Sequence, residues 1–356
     1  MNSDGRGGAW LLPLALTGLA VLAAFAVSAG FILLIGRNPA TAFQALVLGA
    51  FGSKNSLAEM VVKTSPLLLV GLGIAFAFRG RVWNIGAEGQ LFVGALASTA
   101  YMLQAPATLP KPLMLTSALL AGFLGGAIFS AIPAILRAFF GINEIIVTIL
   151  LNYVAIYGTS YFIHGPMRTT EGPLPLTDIV PDSAVMPILV PDTRLHAGIL
   201  IGVGLAFVVH LLLWRTSYGY EVRVVGANPD AAAYAGIPVA RSILLAMVVS
   251  GGLAGMAGMV EVSAIHRRLL DGISPGYGFM GIVVALLGKL NPIATIFASL
   301  LFAGLLVGAD SMQRAADIPV TMVYVIQGLV VLMVLGTDYF LQRRQRGRTV
   351  SSEDSP

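Results

Sequence analysis

Apolar runs of membrane-crossing length recur along the whole chain, separated by short polar stretches. About twenty apolar residues cross a bilayer. On that measure the pattern predicts ten spans, at 10–35, 57–78, 88–103, 113–136, 142–163, 197–214, 243–262, 273–288, 292–310 and 320–341. The third and eighth are short and glycine-rich. The expected fold is an all-α polytopic membrane protein, a single transmembrane domain over 1–356. Ten crossings put both termini on one side, and the basic tail (342–356), with RRQRGR at 343–348, predicts that side to be cytoplasmic. Of the 21 Lys and Arg, twelve then fall inside, eight outside, and Lys63 within a span.

Five spans precede the longest outer loop, 164–196, and five follow it. An odd number per half would make the halves inverted five-helix repeats, a plan in which the pathway lies at the repeat interface. The third member of each half is the glycine-interrupted one, NIGAEGQLFVGALAS at 84–98 and SPGYGFMGIVVALLG at 274–288. Broken segments at corresponding positions point to a translocation site. The outer loop holds six prolines, at 166, 173, 175, 181, 187 and 191. They predict an extended, ordered cover rather than a helix. It serves as a lid on its own bundle or as a docking surface for an external partner.

The polar stretch 215–242 lies between two spans and is locally well specified. Asn228 is a good N-cap, Pro229 suits the first helical position, and Asp230 sits favourably at the positive end of the helix dipole. Ala231, Ala232 and Tyr234 carry the turn, Gly236 supplies a left-handed stop, and Pro238 prevents resumption. A helix of about two turns is not stable alone in water. It needs something to lie against, and a separate protein is the preferred candidate.

Three further stretches carry polar groups among apolar ones. FRGRVWNIGAEGQ (78–90) sets Asn84, Glu88 and Gln90 at the start of an apolar run. A carboxylate at a membrane is costly and faces a cavity or a partner. The segment either lines or gates a pathway, or it is an interfacial loop with Glu88 paired to Arg79 or Arg81. In GINEIIVTILLNYVAIYGTSYF (141–162), Glu144, Thr148 and Asn152 share one helix face, with Tyr153, Tyr157 and Tyr161 on an adjacent stripe. Amides and stacked rings suit a nucleobase or sugar. The alternatives are an interfacial tyrosine belt and an Asn152 bonded to a neighbouring helix. SGGLAGMAG (250–258) puts Gly251 and Gly255 four apart, a packing face. Glu59 and Lys63, one turn apart, are expected to neutralise one another. Glu261, Arg267, Arg268 and Asp271 are expected in a solvated loop.

Composition agrees with this pattern. Apolar residues are 57% and charged ones 11%, against roughly a quarter charged in soluble domains. There is no cysteine, so disulfides, thiolate metal sites and a cysteine nucleophile are excluded. The net charge of +4 has no clustered basic surface, which argues against nucleic acid. There is no phosphate-binding G-x-x-x-x-G-K-[ST], so the chain is not expected to hydrolyse ATP. The four histidines have no metal spacing, no Ser/His/Asp order suggests hydrolysis, and no chain of buried acids suggests a proton-coupled carrier.

Four stretches, 64–95, 141–153, 217–237 and 274–288, together resemble the permease subunits of bacterial ABC importers of the nucleoside and simple-sugar branch. NIGAEGQ and the NEI–T–LN pattern are closest to its nucleoside-type members. The resemblance covers nearly everything beyond the first span. It implies a vitamin-B12-permease-like fold of about ten helices in the bacterial inner membrane. It also implies a second permease subunit, identical or paralogous, two cytoplasmic ATPases that use ATP and Mg, and an extracytoplasmic solute-binding protein or lipoprotein. It would make 217–237 the coupling loop, with Arg223, Asn228, Pro229, Asp230, Ala231, Ala232, Tyr234 and Gly236 toward the ATPase. Asn84, Glu88, Gln90, Asn152, Tyr153 and Tyr157 are the expected pathway residues, for a nucleoside or, alternatively, a sugar. A stand-alone carrier or channel is the rival from another class; it predicts intramembrane ion ligands and no exposed capped helix.

Overall fold

A computed structural model describes residues 11–337 apart from 107, 171, 320, 323 and 335; the basic tail lies outside these residues. Regular structure among them is helical: α1 (Leu11–Leu34), α2 (Pro39–Phe51), α3 (Lys54–Arg79), α4 (Ala87–Gln104), α5 (Lys111–Phe140), α6 (Glu144–His164), α7 (Gly198–Arg215), α8 (Ser217–Ala227), α9 (Pro229–Tyr234), α10 (Val239–Val260), α11 (Tyr277–Leu287) and α12 (Pro292–Ala316), with a further apolar helix at Tyr324–Val334. Six are long and apolar enough to cross a membrane: α3, α5, α6, α7, α10 with its C-terminal extension, and α12. Among the described residues these match part of the ten predicted spans; 10–35 and 320–341 include residues outside them. The two short, glycine-rich members, α4 and α11, are not among the six.

The chain divides into two compact units, 1–57 with 304–356, and 58–303. In the first, the Phe25 and Phe43 rings meet edge to face at 5.4 Å, joining α1 to α2, and Arg37 pairs with Asp317. Asn38 caps α2 by accepting from the Ala40 amide, with Pro39 at the first position. The second unit is built around α3. Its most apolar window is 89% buried, against 33%, 22% and 28% for α5, α6 and α7. A helix apolar on every side belongs inside, whereas the other three present one face to the interior and one outward.

α10 packs along α4 and α5, which also pack on each other. The predicted glycine face makes this contact. A Cβ on Gly255 would stand 2.1 Å from the Gly122 carbonyl oxygen, so the α10 and α5 backbones touch. Beyond Val260 the helix widens into a single π turn, Glu261–His266. Such turns insert one residue into an α-helix and recur at functional positions. The turn keeps Glu261 inside the helix at 3% exposure, correcting the expectation of a solvated loop.

Loop 164–196 is the stretch expected to form an ordered cover. Beyond α6 its described residues hold one 3-10 turn (Asp182–Ala184) among turns and irregular backbone, tied down by backbone bonds from Thr177 to Leu269, Val180 to Arg267 and Met186 to Ser263. Arg194 grips both Glu59 oxygens at 2.6 and 2.7 Å, which raises its pKa further. Glu59 therefore ties its helix to this loop, a contact that its spacing from Lys63 did not reveal. His196, buried at the end of the loop, accepts from the Gly198 amide at Nδ1. Burial lowers its pKa to about 4, so it is neutral.

Candidate functional site

Between α3 and α4 the chain makes a polar turn that the bundle encloses. Arg81 reverses the backbone in a left-handed conformation, φ 54°. Asn84 follows, fully buried. Its Nδ2 donates to Gln90 Oε1 and to Ser250 Oγ, both at 2.8 Å. Its Oδ1 accepts from Gln90 Nε2 (2.9 Å) and from the Gly86 amide (3.0 Å). The two side chains thus form a reciprocal amide pair fastened to α10.

Asn152, two turns into α6, completes the clamp. The Gly89 amide donates to its Oδ1 at 2.8 Å, and its Nδ2 donates to the Ile85 carbonyl at 2.9 Å. The first amides of α4 have no partner inside their own helix, and Asn152 supplies one. At the other end of the same α6 face, Glu144 accepts from the Trp83 amide (3.3 Å) and pairs with Arg137 (3.3 Å). Glu144, Thr148 and Asn152 are all buried, as their spacing predicts.

Glu88 points the other way, toward α11. Its Oε2 accepts from the Gly278 amide at 2.6 Å. The Ser274 hydroxyl accepts from the Tyr277 amide at 3.0 Å, and the Glu88 carboxylate from α4 caps the next amide of α11. The charge sits near the N-termini of both helices, where their dipoles favour an anion. A Cβ on Gly278 would lie 2.2 Å from the Glu88 nitrogen, so the two helix starts touch through backbone. Neither Arg79 nor Arg81 pairs with Glu88. Arg79 donates instead to the Leu290 and Lys289 carbonyls at 3.0 and 3.1 Å.

Asn84, Glu88, Gln90 and Asn152 therefore converge on one turn. Tyr153 and Tyr157 do not join them. They stack on each other at 6.5 Å and are 57% and 69% exposed, facing away from their own chain. Ser250, Ser274 and Gly278 complete the network and were not singled out as polar partners. Their signal was faint, since two serines and a backbone amide leave no pattern until the fold brings them to Asn84 and Glu88.

The second feature is the short capped helix. Asn228 Oδ1 accepts from the Asp230 and Ala231 amides at 3.0 and 3.1 Å, Pro229 opens α9, and Gly236 closes it at φ 78°. Asp230, Ala231, Tyr234 and Ala235 line its open outer side, and Tyr234 is 98% exposed. Ala232 faces inward and is fully buried. α9 rides on α8, an amphipathic helix whose Val222, Val225 and Gly226 are buried. A Cβ on Gly226 would lie 1.9 Å from the Arg79 carbonyl oxygen. Arg223 turns back to the bundle, its guanidinium 4.4 Å from the Trp214 ring centroid and Nη1 donating to the Leu213 carbonyl.

The described residues thus offer two features, a buried polar turn and an exposed, capped helix. Comparison with known proteins decides the class. Residues 56–335 match the family described as the permease component of branched-chain amino acid transport systems. The chain belongs to this permease family. The permease is 35% identical to a glucose ABC transporter permease of Haloferax volcanii, over 92% of this chain and 88% of that one. It is 35% identical to a guanosine ABC transporter permease of Bacillus subtilis (89% and 91% covered) and 32% identical to a nucleoside ABC transporter permease of Lactococcus lactis (89% of each). No solved structure gives a significant match to the permease.

Proposed function

We propose that this permease moves a nucleoside-like solute inward across a bacterial inner membrane, by alternating access driven by separate ATPase subunits that use ATP and Mg. The observation that carries the reading is α9: six residues, capped at both ends, presenting a tyrosine that its own chain leaves uncovered. Such a helix is suited to seating in a partner. The α9 end is then cytoplasmic, as are both termini in the ten-span arrangement. The cover over 164–196 faces the extracytoplasmic solute-binding protein.

The meeting of α4 and α11, third members of the two halves, supports inverted five-helix repeats with the polar turn at their junction. Asn84, Glu88, Gln90 and Asn152 hold this turn, whose shifts open and close the pathway. Tyr153 and Tyr157 face out of the chain, so they reach the solute where a second permease subunit, identical or paralogous, encloses it. Stacked phenols suit a nucleobase and also the face of a sugar ring. The Haloferax relative, named for glucose, favours the sugar as the second reading.

The test is co-purification of the ATPase with the permease and stimulation of ATP hydrolysis by loaded binding protein. Tyr234→Ala should abolish both, since truncating an aromatic anchor costs about 2 kcal/mol or more. Insertion into the membrane should not change, because Tyr234 makes no packing inside the chain. Full stimulation with the alanine variant, or ATP turnover by the purified permease alone, would refute the reading.

A further inference from the structure

Beside α9 lies an open cleft of about 500 Å³ whose walls include Gly80, Arg81, Val82, Trp83, Arg137 and Glu144 on one side and Val225, Pro229, Val239 and Ile243 on the other. Val82 and Val225, each 2% exposed, give it an apolar floor. Its charges are unequal. Glu144 is committed to Arg137 and to the Trp83 amide. Arg81 is exposed, and its guanidinium makes no hydrogen bond or ion pair with any described residue. The cleft therefore holds one uncompensated guanidinium above an apolar floor. Arginine is also a poor choice for its backbone there. A φ of 54° suits glycine, and a non-glycine residue in that region costs free energy.

We propose that this cleft is a second seat for the ATPase subunit and takes a carboxylate side chain flanked by an apolar one, with Arg81 as the recognising cation. The inference rests on the reading of α9 as the ATPase contact. Pro229 is the first residue of α9 and also a wall of the cleft, so a partner seated on α9 closes over Arg81. A guanidinium suits this role because it bonds a carboxylate through two parallel N–H groups. Val225, Pro229, Val239 and Ile243, all from the segment around α9, favour a protein docked on that helix over an anionic lipid headgroup.

The ATPase that co-purifies with the wild-type permease is titrated onto permease in nanodiscs of neutral phosphatidylcholine, and onto a second set containing anionic phosphatidylglycerol. Arg81→Gly removes the cation while relieving the left-handed backbone, so folding is not at risk. It should weaken ATPase affinity roughly tenfold in both lipids and flatten its salt dependence. Arg81→Glu should weaken it further, and Arg81→Lys should restore part of the loss. If Arg81→Gly binds like wild type while Tyr234→Ala does not, the cleft is no seat and the α9 reading stands. An effect confined to anionic discs assigns the cleft to lipid and overturns the proposal. If wild-type permease retains no ATPase at all, the reading of α9 falls and this inference falls with it.

Discussion

Asn152 shows how an amide in an apolar helix serves a neighbouring backbone. Both of its polar atoms are used, one by the Gly89 amide and one by the Ile85 carbonyl. Leaving a buried backbone group without a partner costs about 1–3 kcal/mol. Asn152→Leu strands two such groups and so should lower the thermal unfolding midpoint and reduce accumulation in the membrane, along with uptake. Asn152→Asp keeps the acceptor for Gly89 and should be milder. Size-exclusion profiles of heated detergent extracts would measure this, and a leucine variant with wild-type stability and only uptake impaired would show that the amide meets solute instead. Spacing along α6 was enough to put Asn152 on the buried face with Glu144 and Thr148. What it bonds was not legible, because Ile85 and Gly89 arrive from a turn more than sixty positions earlier and offer only main-chain atoms.

At the scale of elements, α11 is held by α4. Eleven residues make a weak helix by themselves, and the Glu88 carboxylate accepts from the Gly278 amide near its start. Glu88→Gln keeps an acceptor but loses the charge, whereas Glu88→Ala leaves only Ser274 to cap the helix. Uptake and stability should therefore fall modestly for glutamine and steeply for alanine, by about 1–3 kcal/mol for the lost charged bond. Equal losses from both, read by uptake and by thermal midpoint, would mean that charge rather than capping matters. Local signals served some elements well. Asn228, Pro229 and Gly236 marked α9 to within a residue, since capping is a property of a few adjacent side chains. α2 and α8 escaped the hydrophobic pattern. At 13 and 11 residues both are too short to read as spans, and α8 carries Glu221 and Arg223 among its valines. The bidentate bond from Arg194 to Glu59 also escaped it, because a partner 135 positions away leaves no local signal.

At the scale of the whole molecule, the uneven burial of helices in the second unit separates what holds the fold from what meets a partner. α3 spends its surface inward. α6 keeps a stacked tyrosine pair outside, where removing a ring opens no cavity. Tyr157→Ala should leave expression and thermal midpoint near wild type and still cut solute uptake, with Tyr157→Phe retaining most of it because stacking needs the ring and not the hydroxyl. Uptake assays with a labelled nucleoside and a labelled sugar, run on the same vesicles, would check this. Unchanged uptake by the alanine variant would assign the pair to lipid.

The contact of Gly226 with the Arg79 carbonyl has a mechanical meaning. A joint transmits displacement faithfully only when it has no backlash, and flexible side chains between two elements would provide it by changing rotamer. Here α8 rests on the last residue of α3 with no side chain between, and a methyl group would not fit. α9 begins three residues beyond Gly226, and from Arg79 the chain runs directly into the turn that ends at Glu88. On the proposed reading of α9 as the ATPase contact, its displacement would pass to α11 through this one glycine.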